Sequence, residues 1–177
     1  MDRRTARIFR AVAAALVFVT AAYHLWWGFP RSLVYLNAFG MGFPPDPRPF
    51  LFVGLGAILL AGPYLVSFDV VSLRTAYAGA ALLLVGSIAA WVTWHATGHG
   101  AFLTGGPAPA SGGGHSHGSQ NTVLLVLSHF DTEPIEGAIK LVETAAVVLF
   151  LALLRMDPAV VTQAQQASGE QTEASDT

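Results

Sequence analysis

The chain contains no cysteine. Disulfides, thiolate metal sites, iron–sulfur clusters and cysteine nucleophiles are thereby excluded. Charge is scarce as well. No Asp, Glu, Lys or Arg occurs from Ala11 to Phe29, from Pro49 to Phe68, or from Thr75 to Phe130. A water-soluble domain needs charge spread over its surface, yet here charged residues make up 11% and hydrophobic ones 53%. That balance belongs to a polypeptide whose solvent is largely lipid. The formal net charge of −2 is too small to suggest nucleic acid as a partner. There is no phosphate-binding glycine loop with its lysine, no Gly-x-Ser-x-Gly elbow, no His-Glu-x-x-His and no internal repeat.

What the chain does have is four apolar runs. A bilayer helix needs about 20 residues, and the runs at residues 8–29, 49–68, 75–97 and 134–154 meet that length. They predict an all-α integral membrane four-helix bundle over residues 1–155, followed by a disordered cytoplasmic tail over 156–177 that is rich in Gln, Ser, Thr and acid. The fourth run is interrupted by Glu136, Lys140 and Glu143. It is supported by the unbroken stretch Thr144 to Leu154 and by a helix start, with Asp131 or Thr132 as N-cap and Pro134 in the first turn.

Basic residues set the expected orientation. Arg3, Arg4, Arg7 and Arg10 precede span one, Arg74 sits between spans two and three, and Arg155 closes span four. With four spans these fall on one side and only Arg31 and Arg48 on the other, so both termini are expected in the cytoplasm of a cell-membrane protein. All four tryptophans, Trp26, Trp27, Trp91 and Trp94, fall at the outer ends of spans one and three, as an interfacial belt would. A cleaved signal peptide is the rival reading of span one, given small residues at Thr20, Ala21 and Ala22. Apolar character continuing through Tyr23, Leu25, Trp26 and Trp27 argues against it.

The loops differ. The turn at 69–74 is short and makes spans two and three an antiparallel hairpin. Pro44, Pro45 and Pro47 should stiffen the first outer loop, where Asp46 and Arg48 flank a proline and should make a local contact. Glycine dominates 98–120, which is expected to be mobile. The apolar stretch Thr122 to Phe130 is too short to span. Small-residue pairs four apart, Ala11 with Ala15, Ala57 with Ala61 and Ala76 with Ala80, mark expected packing faces.

Polar groups inside lipid need a reason. Glu136, Lys140 and Glu143 share one face of span four, and a Glu four residues before a Lys is the favourable order for a pair. Glu143 would lie about 13 Å along the helix beyond Pro134, at ~1.5 Å per residue. One ammonium leaves one carboxylate over, which must be neutral, meet a histidine or reach water. His24, His95, His99, His115, His117 and His129 all fall in the outer half. His24 and His95 read singly as interfacial or packing residues, and His115 with His117 as a weak metal motif in a loop. His95 and His99 would share a face if the helix continued through Gly98.

Two functional readings follow. The first is a non-catalytic accessory or small-solute or ion-handling component whose polar seam is Glu136, Lys140 and Glu143, joined by His24 and His95. The alternative is a membrane-bound redox protein that holds a transition metal through His24, His95, His99 and Glu136, or a haem between His24 and His95. Expected partners are the bilayer and either a larger membrane complex or further copies of the chain.

Overall fold

The computed structural model describes residues 1–38, 46–96 and 131–162. Within them, four helices are long and apolar enough to cross a membrane. They are α1 (Arg3–Asn37), α2 (Arg48–Ser67), α3 (Leu73–Ala96) and α4 (Pro134–Met156). No strand occurs among the described residues. His99, His115, His117, His129, the glycine-rich loop and the stretch 122–130 lie outside them.

Contacts fix the directions. Gly28 of α1 meets Pro49 and Phe52 near the start of α2, while Gly56, further along α2, meets Leu25 and Ala21. One number falls as the other rises, so the two helices are antiparallel. Between α1 and α4 the paired residues are His24 with Glu143 and Arg10 with Asp157. Between α3 and α4 they are Trp91 with Glu136 and Tyr77 with Asp157. Direction therefore alternates along the chain. The helices form a ring in which each packs on its chain neighbours and α4 closes onto α1; α2 and α3 touch least.

The closest approach is between α1 and α2. A Cβ at Gly28 would stand 2.7 Å from the Pro49 carbonyl oxygen, and one at Gly56 would stand 2.8 Å from Leu25 Cγ and 3.0 Å from the Ala21 carbonyl oxygen. One glycine from each helix thus lets the backbones meet. The expected pairs do not do this work. Ala11, Ala15 and Ala57 are exposed, and the buried face of α1 runs instead through Ala6, Ala13, Val17, Ala21, His24 and Gly28. A helix that is apolar all round gives composition little power to say which face turns inward. Large apolar side chains point outward from every helix, among them Phe18, Ile58, Leu82 and Val148.

Three boundaries differ from expectation. Helix α1 continues past Phe29 with Pro30 inside it, and its 35 residues make a rod about 50 Å long at ~1.5 Å per residue. At its start, Asp2 accepts from the amides of Arg4 and Thr5. The N-cap of α4 is Glu133, with no side-chain cap bond and Pro134 following; Asp131 and Thr132 are already helical before that break. The chain beyond residue 156 does not leave the bundle at once. Asp157 caps a helical turn over residues 158–162, accepting from the Ala159 amide, and Val160 is buried. Pro158, which cannot donate, sits where a missing N–H costs nothing.

The turn between α2 and α3 is as short as expected. The Val70 amide reaches back to the Leu65 carbonyl and the Asp69 amide to that of Val66, with Asp69 at φ 55°. That is a Schellman ending in which an aspartate takes the left-handed position usually given to glycine. Ser72 then caps α3 through the Thr75 amide.

Candidate functional site

The centre of the ring is occupied by a charge that water does not reach. Glu143 is fully buried. Its Oε1 lies 2.8 Å from His24 Nε2, and its Oε2 accepts from Lys140 Nζ at 2.8 Å. Ser87 of α3 completes the cluster, donating to Glu143 Oε1 at 3.2 Å while accepting from Lys140 Nζ at 3.0 Å. A carboxylate cannot donate, so the His24 Nε2–H does. Three helices therefore converge on one carboxylate, which meets the general condition for burying a charge.

The partner of Lys140 is the acid three residues on, not the one four residues before. Lys140 could reach either, but Glu143 sits where no solvent answers its charge, and the deeper carboxylate takes the ammonium. Glu136 is left apart, half-buried, accepting from the Trp91 indole N–H at 3.2 Å. Of Glu136, Lys140 and Glu143 on α4, the last two belong to the central cluster and the first lies toward the helix start.

The ring of His24 is held edge-on against Phe52, with centroids 4.5 Å apart. Two polar atoms on this face of α1, His24 Nδ1 and Thr20 Oγ1, are buried and have no hydrogen-bond partner. They are four residues apart and so lie one above the other.

Toward the ends of α1 and α3 that carry tryptophan, a second group forms. His95, Glu133 and Glu136 bring one ligand atom each to within 4.8 Å of one another. His95 is buried, and its Nδ1 lies 2.8 Å from the Trp91 carbonyl oxygen. His24 belongs to the central cluster, not to this group, so the metal or haem set expected from both histidines is not gathered in one place. His99 lies outside the described residues.

A cleft of about 940 Å3 joins the two groups. It lies where α2 and α3 touch least, with walls that include Phe50, Leu55, Ile58 and Leu83 and a polar side made by Ser87, His95, Glu133, Glu136 and Lys140. Trp94 and Trp27 stand at its rim. Arg48 lies over both rings, at 3.9 Å and 5.7 Å from their centroids, a cation–π arrangement. The same guanidinium makes the expected local contact with Asp46. Burial raises the Asp46 carboxyl, but the Arg48 bonds outweigh this and hold it below the usual carboxylate range. Of the four tryptophans, Trp26 is mostly exposed, whereas Trp91 is buried and holds both His95 and Glu136.

The far half of the bundle is packed with apolar side chains. Leu84, Ala146, Phe150 and Leu153 fill it, and beyond them a separate polar clamp locks the end. Arg10 donates from Nε and Nη2 to the two oxygens of Asp157, and the Tyr77 hydroxyl donates to the same carboxylate.

Some of these residues carried no sequence signal. Ser87 is one hydroxyl in a span of apolar residues, and hydroxyls are common in membrane helices. Glu133 was readable: three residues before Glu136, it falls on the same side of the chain. Asp157 next to Pro158 is a helix-start signature that a tail reading passes over.

No family model, curated protein or solved structure matches this chain.

Proposed function

We propose that this is a non-catalytic integral protein of the cell membrane, with both termini cytoplasmic, that handles a small solute or ion in the outer half of its bundle. The observation that carries the reading is the continuity of the cleft with the buried cluster. Lys140 and Ser87 line the cleft and also hold Glu143. A group arriving in the cleft therefore touches residues whose other contacts reach the fully buried Glu143. Any shift in Lys140 changes what Glu143 asks of His24, which couples occupancy of the cleft to proton position.

Release toward the far half, where Leu84, Ala146, Phe150 and Leu153 pack together, would require a second arrangement of the helices. The weak α2–α3 contact is where such a rearrangement costs least. The cleft is polar on one side only, and its apolar walls suit a site entered partly from the bilayer.

The test is a proton flux measurement. Purified protein is placed in liposomes holding a pH-sensitive dye, and decay of an imposed pH gradient is followed. Wild type should dissipate it faster than Glu143→Gln. Equal decay, with both proteins folded and inserted, would overturn the proposal.

A further inference from the structure

We infer that His95, Glu133 and Glu136 form a binding site for a divalent transition-metal ion at the cleft, and that such a cation is the class of solute handled. The inference rests on the functional reading above only in its second half; the site itself stands on three independent observations.

Charge is the first. Each cation lining the cleft already has a carboxylate of its own: Arg48 has Asp46, and Lys140 has Glu143. Glu133 and Glu136 have no cationic partner among the described residues. Yet their oxygens lie within 4.8 Å of each other. Two carboxylates this close repel unless a proton or a cation is shared between them.

Orientation is the second. The Trp91 carbonyl can only accept, so His95 Nδ1 carries the hydrogen of that bond. In the neutral ring the lone pair is then on Nε2, which is the state a ligand needs. The same Trp91 donates its indole N–H to Glu136. One residue thus fixes both a histidine and a carboxylate, as the outer partners of metal ligands commonly do.

Donor chemistry is the third. One imidazole and two carboxylates, with no thiolate anywhere in the chain, suit zinc, manganese, cobalt or ferrous iron and not cuprous copper. Three protein ligands, counted among the described residues, would leave a position for water or for transfer to another group. Ligand atoms around a zinc-sized ion stand about 3.4 Å apart, given bonds of ~2.1 Å. Closing the last ångström or so falls to Glu133, whose side chain is exposed and free to change rotamer.

The probe is Co2+, with Zn2+ as competitor, added to full-length protein in detergent after chelation. His115 and His117 are first replaced by Ala to remove loop binding. One Co2+ should bind with visible d–d bands and be displaced by Zn2+. Glu133→Gln combined with Glu136→Gln should weaken binding about 100-fold, and Trp91→Phe, which keeps the carbonyl but loses the indole N–H, about 10-fold. Asp157→Asn, in the clamp at the other end of the bundle, should leave it unchanged. Equal Co2+ affinity in the double Gln variant and its parent, both folded by circular dichroism, would overturn the site. Intact metal binding beside an inert Glu143 in the liposome assay would instead sink the handling function and keep the site.

Discussion

A carboxylate removed from solvent is held only by what donates to it, so the energetics of Glu143 are those of its three neighbours. Glu143→Gln keeps the shape but leaves the Lys140 ammonium buried without a counter-charge. It should lower stability by about 3 kcal/mol, read as thermal unfolding in detergent. Adding Lys140→Met should restore much of the loss, because the desolvated charge is then gone; failure to recover would mean that His24 and Ser87 hold the cluster without the ion pair. Asp157 poses the same problem at the other end, with a pH signature. Burial raises its carboxyl, but the bonds from Arg10, Ala159 and Tyr77 outweigh this and lower it below its ordinary value. A depressed folded value means that the stabilisation is complete above the ordinary carboxylate pKa, about 3.9, and is lost as pH falls through the folded one. The melting temperature of wild type should therefore drop toward that of Asp157→Asn as pH falls below about 4, and a difference that persists unchanged would refute it. The residue types at the centre were legible in advance, since charges inside an apolar span must meet something. Their pairing was not: three donors from three helices choose among two acids by depth, and depth is a tertiary property.

Glycine separates the helices into those that must touch and those that need not. Gly28→Ala would push a methyl into the Pro49 backbone, which cannot move as a side chain can, so it should cost about 2–3 kcal/mol by forcing α1 and α2 apart. Gly79 has nothing within 4 Å of an added Cβ. Gly79→Ala should be neutral or stabilise by up to ~1 kcal/mol through helix propensity. If both substitutions behave alike in a melting experiment, close approach is not what holds α1 against α2. The existence of these helices was plain from run length, because about 20 uncharged apolar residues have few other uses. Their inward faces were not. Outside water, the burial of apolar surface no longer distinguishes one side of a helix from another, so the alanine pairs gave no reliable guide, while backbone approach at Gly28 and Gly56 depends on crossing geometry. The ends of helices followed local chemistry more closely, with Pro134 at the start of α4 and a tight ending at Asp69, although the aspartate in a left-handed position carried no distinctive signal.

At the scale of the molecule, the alternation of direction puts the 69–74 turn, Arg10 and Asp157 at one end and Trp94, Arg48 and Glu133 at the other. On the proposed orientation, which follows the distribution of arginine, the first end faces the cytoplasm, and that proposal decides from which side the cleft is filled. The absence of cysteine makes it directly testable, because any introduced thiol is the only one present. Val70 is well exposed in the turn, and Asp131 is exposed just before α4. A membrane-impermeant maleimide added to intact cells should label Asp131→Cys at once and Val70→Cys only after permeabilisation. The reverse pattern would turn the cleft toward the cytoplasm and make any cation site there one for export or storage. Labelling of both from outside would mean that the four helices do not all cross, and the buried Glu143 cluster would then have to be explained by packing against another protein instead of by enclosure within this bundle.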